Sequence, residues 1–171
     1  MRQWKNIRCI LLIGFCWVTQ LCAQPLVKGK AYGILLKTLL SHNVPEISAQ
    51  NLSKDPSNYI LLDSREAKEF NVSHLSGAIH IGYDEFNISS VSVISKDSPI
   101  IIYCSVGYRS EKVSEKLISA GYTDVHNLYG GIFEWMNQGN AVIDSIGETN
   151  KVHVYNATWG IWCDCDEKIS D

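Results

Sequence analysis

Residues 99–110 read Pro99-Ile100-Ile101-Ile102-Tyr103-Cys104-Ser105-Val106-Gly107-Tyr108-Arg109-Ser110. The run from Ile100 to Tyr103 is apolar without alternation, the pattern of a strand buried on both faces of a parallel sheet. Pro99 closes the preceding segment, and Cys104 follows the last apolar residue directly. Gly107 gives the short loop a backbone conformation that other residues resist. Val113, Leu117 and Ile118 then share one helical face over residues 110–120. Ser110 is the expected N-cap and Gly121 the expected stop. The stretch therefore predicts a strand, a short loop and a helix, with a cysteine where the strand ends.

The same alternation extends outward. Tyr59-Ile60-Leu61-Leu62-Asp63 is a second apolar run, ending in a carboxylate and followed by a helix carrying Glu66, Lys68 and Glu69. Val125 to Leu128 predicts a third short strand, and Gly130-Gly131 turns into a helix through Phe133, Trp135 and Met136. Upstream, Ile34, Leu35, Leu39 and Leu40 have helical spacing over residues 31–40. Residues 44–47 are short and extended, and residues 52–58 form a polar connector. Strands alternating with helices predict an α/β fold: a small three-layer domain with a mostly parallel central sheet covered on both faces. Ligands of such sheets bind at the carboxyl ends of the strands, where Asp63 and Cys104 both lie.

The two ends differ from this core. Arg2, Lys5 and Arg8 precede an apolar run from Cys9 to Val18, and Leu21-Cys22-Ala23 resembles a small-residue cleavage site. That is the pattern of a signal peptide over residues 1–23, too short to span a bilayer, and predicts an exported protein, periplasmic or secreted, starting at Gln24. An uncleaved anchor is the alternative. Cleavage leaves 12 Lys+Arg against 18 Asp+Glu, a net charge of −6, which argues against a nucleic-acid partner and, with the leader gone, against a membrane one. It also leaves three cysteines, Cys104, Cys163 and Cys165, so at least one thiol stands outside any internal disulfide. Residues 24–43 read as an N-terminal segment, 44–142 as the domain and 143–171 as a tail. In the tail, residues 152–155 alternate like an edge strand that Trp159 and Trp162 could pack down. Cys163-Asp164-Cys165 leaves several options open: free thiols, a soft-metal contact, an intermolecular bond or a second thiol receiving sulfur, since a bridge at this spacing forms only with strain. An exposed tail without a role is the plain alternative. Two cysteines are too few for a structural zinc site.

Cys104 carries the chemistry. A loop of this form aims main-chain N–H groups and a helix N-terminus at the sulfur, which favours the thiolate, and Arg109 adds positive charge at the rim. A buried structural cysteine is the competing reading. A cysteine phosphatase needs five residues between its cysteine and its arginine; here four separate Cys104 from Arg109, which argues against phosphate chemistry.

Three ordered motifs carry a family resemblance. Leu62-Asp63-Ser64-Arg65-Glu66 with Glu69-Phe70 and His74-Leu75-Ser76-Gly77-Ala78-Ile79-His80-Ile81 resembles the early motif of rhodanese domains. Ile102 to Ser110 resembles their active-site loop, and Gly121-Tyr122 with residues 125–135 resembles their closing motif. The resemblance spans roughly residues 44–140. It implies a sulfurtransferase without metal or organic cofactor, moving a sulfane sulfur from a small anionic donor such as thiosulfate to cyanide or a thiol through a persulfide on Cys104. It also implies that Ser105, Val106, Gly107, Tyr108, Arg109 and Ser110 bind the persulfide and donor, that Arg109 attracts the anion, that Asp63 and Arg65 brace the loop, and that His74 is structural. The alternatives are a binding module without turnover and a sulfur carrier acting with a partner protein.

Overall fold

The isoleucines of the central strand sort by alternation. In the computed structural model, which describes residue 27 and residues 29–170, Ile100 and Ile102 face one side of the sheet and Ile101 and Tyr103 the other, all fully buried. This strand, Ile100–Tyr103, is β4, preceded by β1 (Glu46–Ser48), β2 (Ile60–Asp63) and β3 (Ile79–His80) and followed by β5 (Val125–Tyr129). The five strands form one sheet in the order β1-β5-β4-β2-β3, every neighbouring pair parallel. Leu62 lies opposite Ile102, and Ile102 opposite Asn127. The α/β class expected from the alternation is thus the observed one. The proposed leader, residues 1–23, lies outside the described residues.

Helices cover both faces. Helix α1 (Lys30–Leu39), α2 (Ala49–Leu52) and α5 (Gly131–Asn137) pack with Leu61, Ile101, Tyr103 and Leu128. On the other face α4 (Tyr108–Ser119) sets Val113 and Leu117 against Leu62, Ile100, Ile102 and Val125. Between β2 and β3 lies α3 (Ala67–Val72). Burying one such aliphatic side chain is worth about 1.5–3 kcal/mol, so the two layers hold the sheet without help from the loops. Glu111, buried in α4, accepts from the N–H groups of Ser41 and His42 at 2.9 and 2.7 Å and ties the α1–β1 connection to the domain.

Two local readings are corrected. Helix α4 begins at Tyr108, so its N-cap is Gly107 and not Ser110. Gly107 stands at φ 109°, a left-handed turn that starts the helix sooner than side-chain capping would. The polar connector, residues 52–58, follows directly on α2, which Ser48 caps by accepting from the N–H of Asn51, and holds a 3-10 turn, Pro56–Asn58.

The tail packs onto the domain. After a small antiparallel pair, β6 (Val142–Ile143) and β7 (Glu148–Thr149), β8 (Lys151–His153) pairs parallel with β9 (Glu167–Ile169), flanking the short α6 (Ala157–Gly160). This pair is a separate sheet; β8 does not extend the central one and runs beside α3 instead. Val152, Val154 and Cys163 are buried, and Cys163 and Cys165 form a disulfide. Trp162 stacks on Tyr32 of α1 at 5.6 Å between ring centroids. Asn137 of α5 donates to the Trp162 carbonyl at 3.0 Å and accepts from the N–H of Asp164 at 2.6 Å.

The loop after β4 is set by a close approach of α5. The N–H groups of Ile132 and Phe133 donate to the carbonyls of Cys104 and Ser105 at 2.9 and 3.1 Å. Gly131 makes this possible: a Cβ there would stand 2.3 Å from the Cys104 carbonyl oxygen, and its φ is +58°. We expect Gly131→Ala to cost about 2–5 kcal/mol, combining left-handed strain with overpacking, and to lower the Tm accordingly. An unchanged melting curve would show that the loop does not depend on this approach.

Candidate active site

Cys104 stands at the carboxyl end of β4 and is 1% exposed. Its access to solvent runs through a cavity of about 330 Å³. The N–H of Gly107 donates to Cys104 Sγ at 3.2 Å; among the described residues it is the one main-chain amide bonded to the sulfur, where several were expected. Asn127, opposite Ile102 on β5, holds the next peptide unit in place: its Nδ2 donates to the Gly107 carbonyl at 3.0 Å, and its Oδ1 accepts from the Ser110 hydroxyl at 2.7 Å. Among the described residues Cys104 is the only free cysteine, and no cluster of three or more His, Cys, Asp or Glu is placed to hold a metal ion.

The loop residues divide into two sets. Ser105, Val106, Tyr108 and Arg109 line the cavity with Cys104. Gly107 and Ser110 do not line it; Gly107 supports the sulfur from behind, and Ser110 is fully buried against Asn127. Asp63 and Arg65 form a buried ion pair at 2.6 Å away from the cavity. Arg65 donates to the Ser73 carbonyl at 2.7 Å and lies over the Tyr103 ring, so the pair braces the residue before Cys104. Burial acts against the Arg65 charge, but Asp63 outweighs it and the guanidinium sits above its ordinary range. His74 stacks on Phe70 at 3.9 Å, with Nδ1 3.0 Å from the Phe70 carbonyl, a structural position.

Arg109 is placed differently from the expectation that it attracts an anion. Its Nη1 and Nη2 donate to Glu69 of α3 at 2.6 and 2.7 Å, and Nη2 also donates to Ser105 Oγ at 3.0 Å. A guanidinium held in this bidentate way is strongly engaged by one carboxylate, while Arg109 still lines the cavity beside Cys104. Burial opposes the charge of Arg109; the hydrogen bonds to Glu69 and the nearby Cys104 sulfur outweigh burial and hold it above its usual range. Burial likewise acts to raise Glu69, and Arg109 with the Glu66 N–H overcomes it, leaving Glu69 below the usual carboxylate range.

Other lining residues come from segments that the site reading did not include. Tyr83 and Asp84 follow β3, Glu66 precedes α3, Leu39 ends α1, and Tyr155 and Trp159 belong to the tail. Glu69 was visible as part of the Glu69-Phe70 motif, and Asn127 as a polar residue beside His126 in an otherwise largely apolar strand. Nothing local marked Tyr155 or Trp159 as site residues.

With this geometry in place, the chain belongs to the rhodanese-like domain family, whose model matches residues 46–138. Thiosulfate sulfurtransferase GlpE of Pseudomonas fluorescens is 30% identical over 103 residues, covering 60% of this chain and 91% of that protein. The tRNA uridine(34) hydroxylase of Pectobacterium carotovorum is 27% identical over 126 residues, but the chain spans only 34% of its length. Among solved structures, a Bacillus halodurans protein, BH2092, is 28% identical with a TM-score of 0.55, covering 68% of this chain and 86% of that one.

The Glu69–Arg109 pair makes a stability prediction. A carboxylate held below its ordinary value of about 4.3 stabilises the fold fully at neutral pH, and that share is lost as pH falls through the lowered value. Glu69→Gln, which leaves the part-buried Arg109 without its counter-charge, should cost about 1–3 kcal/mol at pH 7. The gap in Tm from the wild type should narrow on acidification below the ordinary carboxylate range. A gap that stays constant from neutral to acid would mean that the pair carries no such linkage.

Proposed function

We propose that this chain is a sulfurtransferase in which Cys104 carries the moving sulfur as a persulfide. The supporting observation is the Cys104 sulfur at the floor of an open cavity with the Gly107 N–H aimed at it. The relative named thiosulfate sulfurtransferase adds weight to this reading. In the first step the Cys104 thiolate attacks the outer sulfur of a sulfane donor. The new S–S bond forms as the donor's own bond to that sulfur breaks, and the leaving group departs with the electron pair: sulfite from thiosulfate, a thiol from an organic persulfide. In the second step an acceptor, cyanide or a thiol, attacks the outer sulfur and the Cys104 thiolate leaves. No redox partner is required.

Chain groups have plain parts in these steps. The Gly107 amide stabilises the anionic sulfur before and after loading, as a positioned donor does for any developing anion. Asn127 and the α5 N–H groups keep that amide and the loop carbonyls fixed, so no reorganisation is needed at the moment of reaction. Arg109, held by Glu69, contributes its residual field to Cys104 and positions Ser105.

An extracytoplasmic setting belongs to the same proposal. The Cys163–Cys165 disulfide suits an oxidising compartment, and residues 1–23 read as a leader. Intact mass of the exported protein should place its start at Gln24; a start at Met1 would refute cleavage.

The decisive assay is mass spectrometry after exposure to thiosulfate and, separately, to a neutral organic hydropersulfide. The wild type should gain one sulfur on the peptide containing Cys104 and lose it to cyanide, and Cys104→Ser should gain none. Failure to load from either donor would overturn the transferase reading. Loading without release to cyanide would identify a carrier.

A further inference from the structure

We infer that the cavity over Cys104 selects a sulfur compound with an apolar, preferably aromatic, body and no negative charge, and disfavours small dianions. The inference rests on the sulfur-transfer reading and names its substrate class. Three independent observations carry it.

The first is charge. Among the lining residues the only cation is Arg109, committed to Glu69 through two short hydrogen bonds. Glu66 and Asp84 both line the same cavity, and the main-chain N–H of Asp84 donates to Glu66 Oε1 at 3.4 Å. An approaching dianion meets two carboxylates and no free positive charge. Such repulsion costs on-rate and binding alike.

The second is size and lining. About 330 Å³ lies within the range of organic-ligand sites and is far more than a thiosulfate ion fills. Its walls are Leu39, Val106, Tyr83, Tyr108, Tyr155 and Trp159. Apolar and aromatic walls reward an apolar body, not a hydrated ion.

The third is construction. Leu39, Tyr155 and Trp159 lie outside residues 46–138, so part of the wall is added to the family domain by this chain's own flanking segments. The tail is built to hold Tyr155 there. Its φ is +64°, unfavourable for an aromatic residue, and it is kept by the Tyr155 N–H donating to His153 Nδ1 at 3.1 Å. The Tyr155 ring comes within 5.9 Å of the Arg109 guanidinium, closing the cavity over the ion pair. Gly160 of α6 packs so close to Val154 that a Cβ would stand 3.1 Å from its methyl. The disulfide and the Trp162–Tyr32 stack anchor the far side.

Alkylation of Cys104 tests this selection without any sulfur transfer. Iodoacetate, iodoacetamide and N-phenyliodoacetamide are reacted with the full chain, and the rate at Cys104 is read by peptide mass spectrometry and divided by the rate with free glutathione. We expect iodoacetate to be about tenfold slower than iodoacetamide after this correction, and N-phenyliodoacetamide roughly fivefold faster. Tyr155→Ala/Trp159→Ala should remove the aryl advantage, and Glu66→Gln/Asp84→Asn should restore iodoacetate while leaving the aryl advantage. Equal corrected rates in the wild type would overturn the inference, as would preferences that persist through both double variants. Sulfur loading, assayed separately with thiosulfate and a neutral hydropersulfide, decides the transferase reading on its own, so the two can fail independently.

Discussion

The ion pair of buried Glu69 and part-buried Arg109 joins the two helices beside the loop that follows β4. Glu69 sits at the start of α3 after β2, and Arg109 in the first turn of α4 after β4, so their contact fixes how these two crossover units meet above the sheet. Taking two charges out of water costs several kcal/mol each, and only near-ideal geometry repays it. Here the bidentate contact is joined by the Ser105 hydroxyl, which donates to Glu69 Oε1 at 3.1 Å and accepts from Arg109. Ser105 follows the reactive cysteine, so the pair sets the loop as well as the helices.

That arrangement also governs what the site can recognise. The one arginine that lines the cavity is paired with Glu69, and the rest of the lining holds carboxylates, aromatic rings and apolar side chains. Structural and recognition roles thus compete for one side chain, and the structural role wins because an unpaired buried Glu69 would be more costly than a site without a free cation.

The sulfur itself depends on backbone. Its one amide donor is Gly107, whose left-handed conformation both starts α4 and turns the N–H toward Sγ. Behind it, Asn127 satisfies the peptide carbonyl, and the first N–H groups of α5 satisfy the carbonyls of Cys104 and Ser105. Each main-chain group of the loop so bound is one fewer that must be met by water inside the domain. The fixed course of the loop and its nearly buried thiol are consequences of the same hydrogen bonds.

The amino-acid sequence alone determined the α/β class, the parallel strands and the place of Cys104 at a strand end, because apolar runs and helical spacing are local signals tied to the backbone period. It also marked Gly107 and the paired Asp63 and Arg65 through short motifs. Tertiary structure alone decided that Arg109 is spent on Glu69, 40 residues away, and that Asn127 backs the loop, because such partners are chosen by how strands order and helices cross. It likewise decided that Tyr155 and Trp159 wall the cavity. Nothing in a short aromatic-containing tail specifies the surface it will cover; that follows from where β8 packs beside α3 and the Trp162 segment meets α1 and α5, a fact of packing and not of pattern.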